Sequence, residues 1–125
     1  MRVFSFCQES QRYCNYSKDK FGNEITFIQP GWIDEYRASA IDIHFFASLR
    51  DAESSYFRLL DDELKPQQAR EVLPNATKTE LVMTGFESQW KEFFKLRCSP
   101  AAHPMMQELA SLIKEIFIKN NYVVE

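Results

Sequence analysis

The sequence has few of the residues that build disulfide frameworks, zinc sites or nucleic-acid surfaces. Of its 125 residues, three are cysteine, two are histidine and three are glycine. An odd number of cysteines, with no CxxC or CxxH pair, favours reduced thiols over disulfides and indicates no metal site. A net charge of −3 argues against a protein that binds nucleic acid by bulk electrostatics. A small anionic ligand is still compatible with it, because a local arginine can hold a phosphate on an acidic protein.

Long hydrophobic runs are also missing. No stretch is apolar over the length of a membrane span, and the chain does not open with a basic segment followed by an apolar one. We therefore predict a cytoplasmic protein with no membrane partner. What the sequence does have is a globular composition, with 45% hydrophobic residues and 11 Phe. Its length predicts a single domain over residues 1–125.

Hydrophobic periodicity predicts an α+β fold that is rich in helix, with short antiparallel strands. Strands are expected at 23–30 and at 77–84, where β-branched and apolar residues lie between turn residues. A long amphipathic helix is expected from Asp34, which would cap it, because apolar residues recur every three or four positions as far as Leu60. Shorter helices are expected at 66–73, at 86–97 and after the break at 99–104.

Three stretches carry polar and charged residues that suit a binding site. They are RVFSFCQESQR (residues 2–12), REVLPNATKTELVMTG (70–85) and WKEFFKLRCSPAAHPMMQELA (90–110). In this order they resemble the flavin-dependent thymidylate synthase family, whose signature is Arg-His-Arg, seven residues and then Ser. Arg2 would be the third signature residue, and Ser10 follows after the required spacing. The similarity extends to about Lys119, so the resemblance is to the C-terminal portion of the family and begins inside the signature, with Met1 at the position of its His.

The resemblance implies a methyltransferase that converts dUMP to dTMP. Methylenetetrahydrofolate would supply the carbon, and reduced FAD would carry out the reduction. NADPH would be a further co-substrate. The family assembles as a homotetramer with sites between subunits. We therefore expect a homo-oligomer, or a missing N-terminal half that completes the site, and no nucleic-acid partner.

The resemblance also implies particular site residues. A nucleotide phosphate needs several charge-assisted donors, which the Ser10 hydroxyl, the Arg12 guanidinium and nearby backbone N–H groups can provide. An amide such as that of Gln8 can both donate to and accept from a uracil or flavin edge. Substrate contacts are implied for Gln8, Glu9, Ser10, Gln11, Arg12 and Lys78. Flavin contacts are implied for Arg2, Val3, Gln8, Arg97 and His103.

Two positions depart from the family pattern and keep other interpretations open. Glu80 stands where many members carry an arginine that reaches the nucleotide, and Lys78 could compensate for it. Gln107 stands at the position of the catalytic arginine that activates the uracil, and a neutral amide cannot stabilise a developing anion as well. The chain is thus interpreted as a truncated or split synthase, or as a non-catalytic relic that serves in binding or oligomerisation. A generic α+β interaction domain is a third interpretation.

Overall fold

A computed structural model describes residues 4–18, 22–122 and 124. Strands β1 (Ser5–Gln8) and β2 (Leu81–Thr84) pair in a two-stranded antiparallel sheet. The predicted helix-rich α+β class is confirmed, including the long helix and the C-terminal helices. In these described ranges we find no helix able to cross a bilayer. The helices are α1 (Ala40–Asp61), α2 (Pro66–Ala69), α3 (Glu87–Arg97) and α4 (Pro104–Lys119), with 3-10 turns at Gly31–Tyr36 and Arg70–Val72.

The chain divides into two compact units. The first, which we call the N-terminal unit, runs from Gln8 to Glu80 and contains α1 and α2. The second, the C-terminal unit, joins the start of the chain through Cys7 to everything from Leu81 onward, and contains α3 and α4. The single domain over residues 1–125 stays a prediction.

The core of the N-terminal unit is built around two tyrosines. Tyr16, Ile25, Tyr56 and Ala69 are all buried and form one cluster. The rings of Tyr16 and Tyr56 meet edge to face at 5.4 Å, and the Tyr56 hydroxyl accepts the Tyr16 backbone N–H at 3.5 Å. The Glu53 carboxylate accepts the backbone N–H of Ile25 at 2.9 Å. These contacts fix the loop around Tyr16 onto α1, and Ala69 anchors α2 in the same core.

The C-terminal unit has an aromatic core. Phe94 on α3 is 2% exposed and lies between Trp90 and Phe117, with ring centroids 5.7 and 5.4 Å away. Trp90 also meets Phe117 at 4.9 Å and Phe4 at 5.0 Å. The Trp90–Phe94 pair is stacked and the others are edge to face, and both arrangements add to the free energy gained from burying the rings. The aromatic residues of α3 therefore have a packing role.

The long helix begins later than the sequence predicts. Asp34 does not cap it but lies in the 3-10 turn at Gly31–Tyr36, where its carboxylate accepts a hydrogen bond from Arg37 at 3.1 Å. Ala38 has a φ of +58°, in the left-handed region, so the backbone cannot continue from this turn into a right-handed helix. Ser39 then becomes the cap, and its hydroxyl accepts a backbone N–H of the first turn of α1.

The strand predicted at 23–30 is wrong. Its described residues form no ladder, and Phe27 makes one isolated bridge to Thr77. The second predicted strand is regular only over β2. The reason is a change of partner, because the segment that begins at Thr77 pairs first with Phe27 and then, at its Glu80 carbonyl, with the backbone N–H of Glu9 at 2.9 Å. The segment thus leaves Phe27 after one bridge and continues into the β1–β2 ladder, so residues 23–30 gain no ladder of their own.

Candidate functional site

The N-terminal unit contains a polar cavity of about 350 Å³. This volume is at the lower end of the range for small-molecule sites. One wall is the loop that follows β1, and the other comes from the 3-10 turn after α2 and the extended segment before β2. Its lining residues are Gln8, Glu9, Ser10, Gln11, Arg70, Thr77 and Thr79. The cavity thus combines one guanidinium with three hydroxyls, two amides and a carboxylate, a set that suits a polar anion with hydrogen-bonding groups.

Ser10 organises the loop wall of this cavity. Its carbonyl accepts the backbone N–H groups of Tyr13 at 3.1 Å and Cys14 at 3.0 Å, which closes a tight turn. Its hydroxyl oxygen accepts the backbone N–H of Arg12 at 3.3 Å. A serine hydroxyl has two lone pairs and one proton, so accepting this bond does not use the O–H donor. That donor is suited to a ligand oxygen in the cavity.

The two walls are tied together through Glu9. Its backbone N–H donates to the Glu80 carbonyl at 2.9 Å, and its own carbonyl accepts the Thr79 hydroxyl at 3.2 Å. Thr77 is 8% exposed, and its hydroxyl donates to the Pro74 carbonyl at 2.7 Å. Because alternate residues of an extended segment point to the same side, Thr77 and Thr79 both reach the cavity.

Arg70 provides the positive charge of the cavity, and it was not among the site residues predicted from the sequence. It lies in the 3-10 turn directly after α2 and is about one-third exposed, with its Nε 3.8 Å from a carboxylate oxygen of Glu71. A signal was present, because the stretch 70–85 contains only two cations, Arg70 and Lys78. The sequence could not show which of the two faces the loop, since that depends on tertiary packing.

Lys78 and Glu80 form an ion pair with each other. The Lys78 ammonium lies 3.1 Å from a Glu80 carboxylate oxygen, and both side chains are largely exposed. By the same alternation that directs Thr77 and Thr79 into the cavity, Lys78 and Glu80 point to the opposite side of the segment. The pair neutralises the carboxylate of Glu80. A contact between Lys78 and the substrate stays a prediction.

Arg12, the other predicted phosphate ligand of the loop, is held by two neighbours. Its Nε donates to the side-chain oxygen of Gln67 on α2 at 3.0 Å. Its guanidinium carbon lies 5.2 Å from the ring centroid of Tyr13, a cation–π distance. Both contacts fix an exposed side chain at the edge of the loop.

The candidates in the C-terminal unit have local structural contacts. His103 caps α4, its Nδ1 accepting the backbone N–H of Met105 at 3.3 Å. The Gln107 amide donates to the Cys98 carbonyl at 3.3 Å, which joins the start of α4 to the end of α3. Arg97 ends α3 and is exposed. Their roles in binding flavin or activating substrate stay predictions. Arg2 and Val3 lie outside the described residues.

Comparison with known sequences identifies the family. Residues 1–120 match the family model described as "Thymidylate synthase complementing protein". The chain belongs to this family. The flavin-dependent thymidylate synthase of Geobacter sulfurreducens is 32% identical over 111 residues, which are 87% of this chain and 44% of the relative. That of Sulfurisphaera tokodaii is 31% identical over 124 residues, 93% of this chain and 45% of the relative. The chain thus spans less than half the length of these curated relatives.

Comparison with solved structures supports the same fold. A crystal structure of flavin-dependent thymidylate synthase from Helicobacter pylori, complexed with FAD and dUMP, matches with a TM-score of 0.72 and 21% identity. The match covers 98% of this chain and 61% of the other. At this identity the likeness shows the fold alone. The predicted partial fold of the family, and the resemblance seen in the sequence, are confirmed.

Proposed function

We propose that this chain forms the nucleotide-binding part of a flavin-dependent thymidylate synthase, and that its polar cavity binds dUMP through the phosphate. The observation that carries the proposal is the polar cavity lined by Arg70, Ser10, Thr77 and Thr79. A phosphate dianion that leaves water needs charge-assisted hydrogen bonds, and the Arg70 guanidinium and the Ser10 hydroxyl are suited to donate them. The Thr77 and Thr79 hydroxyls already donate to backbone carbonyls, so they shape the wall of the cavity. The curated relatives bear the name of this enzyme, and the H. pylori protein binds FAD and dUMP, which supports the choice of ligand.

Each group of the cavity has a distinct task in this proposal. Arg70 provides the positive charge for the phosphate, and the Ser10 hydroxyl donates to one of its oxygens. Gln8 and Gln11 can donate to and accept from the sugar or the uracil edge. The Glu9 carboxylate accepts from a hydroxyl or ring N–H and repels the phosphate, so it orients the nucleotide with its anionic end toward Arg70.

The cavity fits a mononucleotide better than the larger dinucleotide FAD, since its volume is at the lower end for ligand sites. Among the described residues, Arg97 and His103 of the C-terminal unit would offer a cation and an imidazole to the flavin. Reduced FAD, when bound, would supply the reducing equivalents for methylation of dUMP by methylenetetrahydrofolate, with NADPH as the source of electrons. Further flavin contacts would come from other copies in a homo-oligomer or from an N-terminal half.

A second candidate function is nucleotide binding without turnover, and one contact favours it. The Gln107 amide, at the position of the family's activating arginine, donates to the Cys98 carbonyl. A neutral amide that is tied to a local carbonyl does not stabilise a uracil anion. Loss of one such electrostatic donor typically lowers kcat by about 10²–10³.

Calorimetry and a turnover assay separate these functions. The purified chain is titrated with dUMP, with and without FAD, and then supplied with methylenetetrahydrofolate and NADPH while dTMP is measured. We expect dUMP to bind at least about tenfold more tightly than deoxyuridine, since hydrogen bonds to a charged group contribute about 1.5–3 kcal/mol. Formation of dTMP would support the synthase, and binding without turnover would support the binding module. No heat from dUMP at millimolar concentration would overturn the proposal.

A further inference from the structure

The Arg12 guanidinium, in the loop after β1, is exposed and is held by two side-chain contacts. Its Nε is 3.0 Å from Gln67 Oε1, and its guanidinium carbon is over the ring of Tyr13. A free arginine side chain has many rotamers, so a fixed guanidinium binds an anion at a lower entropic cost than a mobile one. Within the described ranges, Nε is the Arg12 side-chain nitrogen that is hydrogen-bonded. The two terminal Nη groups are the fork that binds phosphate bidentately.

Gln67 is on a well-anchored element although α2 is only four residues long. Ala69 of the same helix is fully buried in the tyrosine cluster. Pro66 occupies a first-turn position that suits it, and the Lys65 backbone N–H donates to the Gln68 side-chain oxygen at 3.0 Å. Residues three apart share a side of a helical turn, so α2 and the turn after it direct Gln67 to Arg12 and Arg70 to the cavity.

We propose that Gln67 is a positioning residue, which holds Arg12 by its Nε so that the two Nη groups serve an anionic group of the ligand. The chemistry of the amide supports this role. A glutamine oxygen accepts the Nε hydrogen without adding a negative charge, so the guanidinium keeps its full charge for a phosphate. This inference rests on the proposed function for the identity of the anion, dUMP phosphate, and on the Gln67 contact for the mechanism.

The first test measures the Arg12 side chain directly in the full chain. The ¹⁵N-edited NMR signal of Arg12 Nε–H, assigned by its loss in Arg12→Lys, reports order and exchange with solvent. We expect a rigid, slowly exchanging signal in the wild type, a mobile and fast-exchanging one in Gln67→Ala, and recovery of the rigid signal in Gln67→Glu, which keeps an acceptor. Gln68→Ala is the matched control, because it removes the cap of α2 and leaves the Gln67 side chain. An unchanged signal in Gln67→Ala would overturn the proposal.

The second test measures how much the Gln67–Arg12 contact contributes to dUMP affinity. Calorimetric titration with dUMP should show a loss of affinity of roughly three- to tenfold in Gln67→Ala, as expected for one hydrogen bond, and a smaller loss in Gln67→Glu. Deoxyuridine, which lacks the phosphate, should bind the wild type and Gln67→Ala equally. Equal dUMP affinity in the wild type and Gln67→Ala would refute the positioning role alone. Failure of the wild type to bind dUMP would instead refute the proposed function, and with it the role of Gln67 in ligand binding.

Discussion

The two units of the molecule hold their polar candidate residues in different ways. In the N-terminal unit, Arg70 lines the same cavity as Gln8 and Ser10 although it is far from both in sequence. In the C-terminal unit, His103 and Gln107 bond to backbone groups two and nine residues away, and both contacts stabilise the start of α4. A polar side chain that caps its own helix is explained by local structure. Side chains that distant segments bring together around a cavity are placed where a ligand could contact several of them at once. The predictions below test this contrast.

The largest effect is expected from Arg70→Ala. This change removes the guanidinium of the cavity, and hydrogen bonds to charged groups contribute about 1.5–3 kcal/mol, so dUMP affinity should fall by roughly 10- to 150-fold. Calorimetry with dUMP gives the affinity, and Arg50→Ala, which removes an exposed arginine of α1, is the matched control. If both variants bind dUMP as the wild type does, the cavity is not the phosphate site.

A slightly smaller effect, on stability alone, is expected from Gly85→Ala in the C-terminal unit. A Cβ at this position would overlap Cδ1 of Phe4, with Cε1 of the same ring 2.5 Å away and Gln89 Oε1 2.9 Å away. Overpacking of this kind typically costs about 1–3 kcal/mol. Urea unfolding followed by tryptophan fluorescence should show a lower midpoint, with Ser88→Ala on the exposed side of α3 as the control. A dUMP affinity that falls as far as in Arg70→Ala would contradict the contrast between the units.

Gln107→Ala should have a smaller effect. It removes the bond to the Cys98 carbonyl, and one neutral hydrogen bond contributes about 0.5–1.5 kcal/mol to stability. We expect a small decrease in the free energy of unfolding and no change in dUMP affinity, measured by urea denaturation and calorimetry on the same sample. A loss of nucleotide affinity with unchanged stability would mean that Gln107 contacts the ligand and is not a structural residue.

The smallest effect is a loss of stability at high pH that arises in the tyrosine core. Burial raises the pKa of Tyr16 and of Tyr56 above the ordinary value of 10.0. The folded state therefore favours the neutral phenols, so their stabilising contribution is complete below pH 10.0 and is lost as the pH rises above it. The urea midpoint should therefore fall as the pH rises above 10.0, and less steeply in Tyr16→Phe. Tyr36→Phe, at an exposed tyrosine, should keep the wild-type slope.

The helices were predictable because their causes are local. The 3.6-residue period locates α1, α3 and α4, and Pro66 marks the start of α2. The start of α1 was missed because it depends on the left-handed backbone of Ala38, which no pattern of side chains indicates. The strand at 23–30 was wrong because the segment from Thr77, with which it pairs at Phe27, pairs with Glu9 after a few residues.

The loop residues of the candidate site could be predicted from the sequence, but the residues on the opposite wall could not. Residues 8–11 were identified through the spacing between Arg2 and Ser10, which the family resemblance interprets. Arg70 and Gln67 could not be found in this way, because each meets the loop by tertiary contact across more than fifty residues of chain. The direction of Lys78 away from the cavity also depends on the register of an irregular segment, which the sequence does not specify.

The central claim is that the cavity of the N-terminal unit is the nucleotide site, and NMR titration of the ¹⁵N-labelled chain with dUMP tests it most directly. We predict saturable shifts at the backbone amides of Gln8–Gln11, Arg70, Thr77 and Thr79, with much weaker shifts when deoxyuridine replaces dUMP. Saturable shifts that fall instead on α3 and α4, or shifts of the cavity residues that are equal for the two ligands, would contradict the account.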